Sequence, residues 1–255
     1  FSGSGVVSAS GNQAATLDKA SGTGRAANDW ILTLNMSRYD TAEPYVLYFD
    51  HRDYQDAADA NDSVWVRGNQ GAPWIGIYDL ARASSGSYQS VGPLRVSAAL
   101  SQNNQAYSPS FQVRFGQEGR NTVNGSPADG RSFDNIRLTQ QDLTLSSFPQ
   151  PAQVCGLSAQ EPVSVALTNT GLDTIAAGNS LQLTYQLDTN TYPAQSVTLN
   201  QPVAPGDSVT VQLNQAFDLS AGDTAYRLQA SVQWQPDLKA DNDTATRTIT
   251  VPDPN

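Results

Sequence analysis

The sequence predicts an all-β protein built as two sandwiches in tandem, and three observations carry that prediction. Tyr, Val, Thr and Phe cluster in short runs punctuated by Gly, Pro, Asn or Asp, the pattern of a sandwich pair, whereas no window sustains the period of a helix. The 255 residues exceed what most single sandwiches need and suit two. The halves share no strand pattern, so they read as different domains rather than repeats of one.

In chain order, a Ser/Gly/Ala-rich stretch over residues 1–27 holds short strands near Gly5–Ser10 and Ala15–Leu17. Trp30–Leu34 is a strand, and the loop NMSRYDTAEP leads to Tyr45–His51, where Leu47 and Phe49 point inward. DYQDAADAND is too acidic and too poor in apolar residues to be other than a loop. Val64 and Val66 form the core side of the next strand. GNQGAP then turns a hairpin into Trp74–Leu80, where Trp74, Gly76 and Tyr78 alternate with Ile75, Ile77 and Asp79. Leu94–Val96 follows. Phe111, Val113 and Phe115 share one face at period two, opposite Gln112 and Arg114. After a polar Gly/Asn loop, Phe133–Leu138 and Leu143–Leu145 close the domain. Trp30, Trp74 and Trp234 take core-like parity.

The expected boundaries are residues 1–146 for the first domain, a Pro-rich linker over 147–153, and 154–255 for the second. Pro149 and Pro151 stiffen the linker and keep it out of any sheet. In the second domain Leu181, Leu183, Tyr185 and Leu187 alternate with polar residues as one strand face, and Gly171, Gly178 and Gly206 fall where turns need positive φ.

Several spaced motifs lie within residues 28–139: VLYFDHR at 46–52, an acidic stretch ending in DSVWV at 62–66, FQVRF at 111–115 and DGRSFDNI at 129–136. Together they resemble the MAM-like jelly-roll modules of large secreted and cell-surface bacterial proteins. Val163, Val165, Leu167, Asn169 and Gly171, then Ile175, Ala177 and Gly178, the turn Ala204–Val209 and the closing run Asp237–Thr244 are similar to CARDB-like immunoglobulin-type modules of bacterial surface proteins. These resemblances imply a jelly-roll β-sandwich followed by an immunoglobulin-like β-sandwich. They also imply the cargo of type IX-like secretion systems, often adhesins or filaments of gliding or predatory bacteria. Such folds host many unrelated sites, so function has to be argued from residues.

The formal net charge of −10 is unevenly divided: residues 1–149 hold 14 acidic and 11 basic residues, and residues 150–255 hold 10 and 3. Lys19 and Lys239 are the only lysines, and neither half offers the basic stripe that phosphate-backbone binding needs, which argues against a nucleic-acid partner. An acidic, lysine-poor surface suits an extracellular protein in salty medium. No run is long and apolar enough for membrane insertion. The chain opens at Phe1 and ends in VPDPN, a Pro-punctuated stretch that reads as a linker, as expected of a segment of something longer. Cys155 is the single cysteine, so no intrachain disulfide forms, and at a domain start it is expected to be a buried small hydrophobe.

The composition also bears on catalysis. His51 is the only histidine and Cys155 lies in the other domain, so Ser-His-Asp and Cys-His nucleophilic sites lack their parts. Glu43, Glu118 and Glu161 fall in a loop, at a strand end and at a domain start, unlike the paired acids of glycosidases. A non-enzymatic chain is the expectation.

Two candidate sites remain. Asp50, Asp53, Asp56, Asp59 and Asp62 crowd one loop, and hard cations want several converging oxygens, although the spacing is not that of an EF-hand. Asp134 shares strand parity with Ile136 and Leu138, which aims its carboxylate inward, where charge is costly unless a cation, an Arg or backbone amides meet it. The MAM-like resemblance implies a structural calcium there, and the residues point to Asp134 as its ligand, helped by Asp50 or by the acidic loop through Asp53. A solvated loop and an Asp that caps a turn are the competing reading. Trp65, between inward Val64 and Val66, faces out beside Tyr54 and offers a platform for stacking a sugar ring, unless a loop folds over it.

Two functions from different classes follow. One is a structural and adhesive segment of a long cell-surface or filament-forming protein, whose partners are neighbouring domains of the same chain, further copies, or glycans on a host or prey surface. The other is a carbohydrate-binding module pair of a secreted enzyme.

Overall fold

The computed structural model describes residues 8–11, 13–17, 23–54, 62–80, 86–121, 130–152 and 155–252. The chain divides into two compact units, Phe1–Thr139 and Gln140–Asn255.

In the first unit, period-two alternation becomes eight strands among the described residues: β1 (Ala15–Leu17), β2 (Thr23–Leu34), β3 (Val46–Asp53), β4 (Ser63–Arg67), β5 (Ile75–Asp79), β6 (Gln89–Arg95), β7 (Phe111–Asn121) and β8 (Arg131–Thr139). They pair antiparallel in two sheets, β1-β8-β3-β6 and β2-β7-β4-β5, which make a jelly roll. The inward rows of both sheets meet in one core. Phe111, Val113 and Phe115 of β7 are wholly buried, as are Val64 and Val66 of β4 and Phe49 of β3. Phe49 meets Phe115 edge-on at 5.3 Å, and Phe115 lies 4.9 Å from Phe133. A short helix, α1 (Val96–Gln102), buries Val96 and Leu100 in the same core.

A bulge decides which way β8 faces. At Asn135 the backbone takes φ 49°, the left-handed region that Asn tolerates. Beside it, pairing with β3 slips between Tyr48 and Asp50. Arg131 and Phe133 point inward before the slip, and Ile136 and Leu138 pack inward after it. The parity expected for Asp134 is therefore corrected: it lies before the bulge and faces out.

The second unit contains β9 (Leu143–Gln150), β10 (Glu161–Asn169), β11 (Ser180–Leu187), β12 (Asn190–Thr191), β13 (Gln195–Thr198), β14 (Ser208–Phe217), β15 (Thr224–Gln233) and β16 (Thr244–Val251), with a 3-10 turn at Ala240–Asn242. One sheet runs β14-β10-β9. The other runs β12-β11-β15-β16, with β13 also on β11, giving an immunoglobulin-like sandwich. Val163, Val165 and Leu167 pack against Leu181, Leu183, Tyr185 and Leu228.

Several expectations are corrected here. Residues 147–153 are not a free linker, because Leu143–Gln150 is β9, paired with β10 from Leu143↔Asn169 to Gln150↔Ser164. Pro149 is tolerated because β9 is an edge strand with register shifts, where a missing N–H leaves no bond unmade. Leu143 and Leu145 accordingly join the second unit's core, and the division falls between Thr139 and Gln140. Cys155 is an exposed free thiol, not a buried hydrophobe. Gly178 and Gly206 take φ of 87° and 84° as turns require, but Gly171 is needed for room instead: a Cβ there would lie 2.6 Å from the Gln140 carbonyl oxygen.

Candidate functional site

The strands place the expected metal ligands on two different faces. Asp50 and Asp134 are cross-strand partners on the outer face of β1-β8-β3-β6. Asp134 Oδ2 accepts the backbone N–H groups of Ala9 and Ser10, each at 2.9 Å, and Oδ1 accepts that of Asn135 at 2.7 Å. Asp50 accepts the Ser90 hydroxyl at one oxygen and Asn135 Nδ2, at 2.6 Å, at the other. Backbone amides thus meet the charge of Asp134, and both carboxylates have every oxygen already in a hydrogen bond. Asp53 points the other way, into the sandwich, and is 1% exposed. The three carboxylates do not fit one calcium, and among the described residues no three acidic, His or Cys side chains converge as a metal site. Asp56 and Asp59 lie outside the described residues.

Next to this pair, Tyr48, Asp50, Ser90, Val91, Asn135, Ile136 and Arg137 line an open groove of about 540 Å³. The Arg137 guanidinium lies 4.5 Å from the Tyr48 ring centroid. On its other neighbour, β6, Gly92 leaves room for that ring, since a Cβ there would come within 2.6 Å of it.

Inside the same end of the jelly roll lies a buried polar cluster that sequence reasoning passed over. Arg131 is 1% exposed, with Nη2 at 3.2 Å from Asp62 Oδ2 and 3.7 Å from Asp53 Oδ2. Asp62 Oδ1 also accepts the Glu118 N–H at 2.8 Å. His51 sits beside them against Phe49 and Tyr78, and neither ring nitrogen has a hydrogen-bond partner among the described residues. Burial, and then the Arg131 charge, pull its pKa down to about 4, so the imidazole is neutral. The signal was available: His51 and Asp53 continue the inward row of Phe49, and Arg131 that of Phe133.

Trp65 faces out, as expected, but on the opposite sheet from Tyr54, so the two do not make one platform. The Trp65 ring rests on glycines of both flanking strands: a Cβ at Gly116 would lie 2.5 Å from it and one at Gly76 3.6 Å. Arg114, directly across in β7, stacks 4.5 Å from its centroid and pairs with Asp29 at 2.8 Å. A second chain crosses the same face. Thr33 Oγ1 accepts from Gln112 Nε2 at 2.9 Å, Gln112 Oε1 accepts from Arg67 Nε at 2.7 Å, and Arg67 stacks 4.1 Å from Trp74. Trp74 is thereby corrected from the core to this outer face. Tyr54 flanks β3, with Arg52 4.7 Å over its ring and its hydroxyl accepting from Ser132 at 3.3 Å.

The second unit gathers Asp142, Asp237, Asp241 and Asp243. Asp142 accepts Asn242 Nδ2 at 2.9 and 3.2 Å, and Asp237 accepts the N–H groups of Leu143 at 2.6 Å and Lys239 at 2.8 Å. Burial, then the carboxylates of Asp237, Asp142 and Asp241, push Asp243 up to about 7.

No protein family model matches the chain, and no curated protein sequence matches it. Among solved structures, a domain described as part of a cell surface protein of Methanosarcina acetivorans is 18% identical over 44% of this chain and 92% of its own length, with a TM-score of 0.34. The CARDB domain of a Pyrococcus furiosus protein, solved in complex with di-metal ions, is 20% identical over 44% of this chain and 89% of its own, at 0.32. A GH2 β-galacturonidase from Eisenbergiella tayi is 8% identical, and its likeness covers 91% of this chain and 36% of the enzyme, at 0.27. A CARDB domain thus stands among the structural neighbours. Likenesses this distant carry no argument about chemistry.

Proposed function

We propose that this chain is a non-catalytic structural and adhesive segment of a larger bacterial cell-surface or filament-forming protein, the first unit making contact and the second acting as a spacer. The outer face of β2-β7-β4-β5 supports this reading. Trp and Arg are the side chains that most often anchor protein contacts. Here Trp65, Trp74, Arg67 and Arg114 are held by cross-strand neighbours before a partner arrives, so little side-chain freedom is left to lose on binding. The acidic, lysine-poor composition is in keeping with an extracellular setting. No helix among the described residues is long and apolar enough to cross a membrane. The partners proposed are adjoining domains of the same chain, further copies, or surface glycans of a host or prey, and not nucleic acid.

Capture of the flanking domains and of envelope preparations on the immobilised chain tests this. Arg67→Ala with Arg114→Ala should abolish capture while the circular dichroism stays native. Undiminished capture, or turnover of a polysaccharide or peptide by the purified chain, would refute it.

A second reading, a carbohydrate-binding module of a secreted enzyme, is favoured by the groove beside Tyr48, where an aromatic ring meets the planar polar groups of Asp50, Asn135 and Arg137. A glycan-array signal removed by Tyr48→Ala, but not by the Arg67/Arg114 double variant, would select it.

A further inference from the structure

An edge strand offers unpaired N–H and C=O groups to any extended chain, and proteins blunt such edges with proline, charge, short length, bulges or a covering side chain. Most edge strands among the described residues are blunted in this way. β6 carries Pro93 and a register shift, β1 has three residues, and β5 has five with a register shift. In the second unit β9 has Pro149 and two shifts, while β12 and β13 have two and four residues. Arg247 of β16 donates to the Phe148 carbonyl at 2.8 Å. At β14 the Gln195 amide takes the place of a neighbouring strand, donating to the Gln212 carbonyl at 3.0 Å and accepting the Asn214 N–H at 2.9 Å.

β2 carries such a device only at its start, where its register with β7 shifts between Thr23 and Ala26. From Ala27 to Leu34 its register with β7 is unbroken and holds no proline, and among the described residues no strand pairs with its other side. Its one charge in that stretch, Asp29, is engaged by Arg114. The strand also leaves apolar surface open, with Ile31 43% and Leu34 36% exposed and Trp30 and Leu32 only partly buried against the core.

We propose that the open edge of β2 pairs with β2 of a second copy of this chain, antiparallel about a two-fold axis at Ile31, joining two four-stranded sheets into one. The side chains of this edge complement a second copy of themselves. With Ile31 opposite Ile31, inward Trp30 meets inward Leu32, and outward Asp29 meets outward Thr33. Each side chain faces one on its own side of the sheet, as antiparallel pairing demands. The two part-buried apolar pairs complete each other's burial, and no like charges are opposed. Because the same patch is used on both copies, the contact closes at a dimer instead of propagating. The dimer is independent of the contact function proposed above: a monomer that still captured its target would remove only the dimer.

Sedimentation equilibrium of the whole chain over a wide concentration range, with Ile31→Lys alongside, tests the pairing. The wild type should show a reversible monomer–dimer equilibrium. Ile31→Lys, which sets two ammonium groups opposite each other at an exposed position, should be monomeric with a native circular dichroism spectrum. In a Cys155→Ser background, Ile31→Cys should oxidise to a disulfide-linked dimer, whereas Thr33→Cys, whose counterpart is Asp29, should not. A wild type that stays monomeric, a dimer that survives Ile31→Lys, or equal cross-linking at both cysteine positions would each overturn the proposal. Should Ile31→Lys misfold, the cysteine pair decides alone.

Discussion

Arg131 and Asp62 form an ion pair from which water is wholly shut out: Nη2 lies 3.2 Å from Oδ2, with the two side chains 1% and 0% exposed. Asp53, directly across from Arg131 in β3, joins them at 3.7 Å. One buried cation thus serves two buried carboxylates of the acidic stretch, Asp53 and Asp62.

Arg131→Met should therefore be costly, because it leaves two carboxylates in the core without their cation. Removing one partner of a buried pair typically costs about 3–5 kcal/mol. Urea melts followed by Trp fluorescence should show the first unit unfolding at much lower denaturant, and a shift of only a few tenths of a kcal/mol would contradict the assignment.

His51 makes the first unit sensitive to acid. Its pKa is about 4 in the folded chain against an ordinary 6.5, so the unfolded chain binds the proton more readily between those values. The neutral imidazole's contribution is complete above pH 6.5 and is lost as pH falls toward 4, about 3 kcal/mol in all. Tm measured against pH should drop through this window, and His51→Phe should flatten the drop.

The second unit carries the opposite slope. Asp243 holds its proton up to about pH 7 in the folded chain but releases it near 3.8 when unfolded, so stability falls as pH rises between these values. Asp243→Asn should raise the Tm of the second unit above pH 7 and leave it unchanged below about 4. An equal gain at both extremes would point to packing rather than charge.

Gly116→Ala should destabilise the first unit by about 1–3 kcal/mol, the usual cost of forcing an extra methyl into a filled space. The added carbon would lie 2.5 Å from Trp65 Cζ3 and 2.9 Å from Asp29 Oδ1, so the indole has to lift from its bed. Trp65→Ala in the same chain should recover part of the loss, which a double-mutant cycle measures.

Asp134→Asn removes the charge that three backbone amides meet and should cost about 1–2 kcal/mol. The cost should be the same in EDTA and in calcium. A cost that appears only with calcium present would restore the cation to this carboxylate.

Much of the fold was legible because alternation reports burial directly: Phe111, Val113 and Phe115, or Leu181, Leu183 and Tyr185, sit where their spacing put them. What alternation could not reveal is a change of phase within a strand. Asp134 and Ile136 have one parity in the sequence and face opposite sides in the fold, because the bulge at Asn135 lies between them. Proline was over-read at Pro149, since an edge strand has N–H groups to spare. Charge type was over-read as well. Arg131, Asp53 and His51 continue apolar rows and look like surface residues only one at a time, because burial becomes tolerable through partners from β3, β8 and the start of β4 that no local window brings together.

The bulge at Asn135 also makes the length of β8 part of its meaning. Another residue in that position would strain the left-handed backbone but leave the count intact. Deleting it would restore plain alternation, leaving Asp134 outward and Ile136 and Leu138 inward in continuous register with β3, but would remove the amide that bonds Asp50. In this strand the extra residue serves the polar contacts at the surface, to Asp50 and Ser10, and the core row would keep its facing without it.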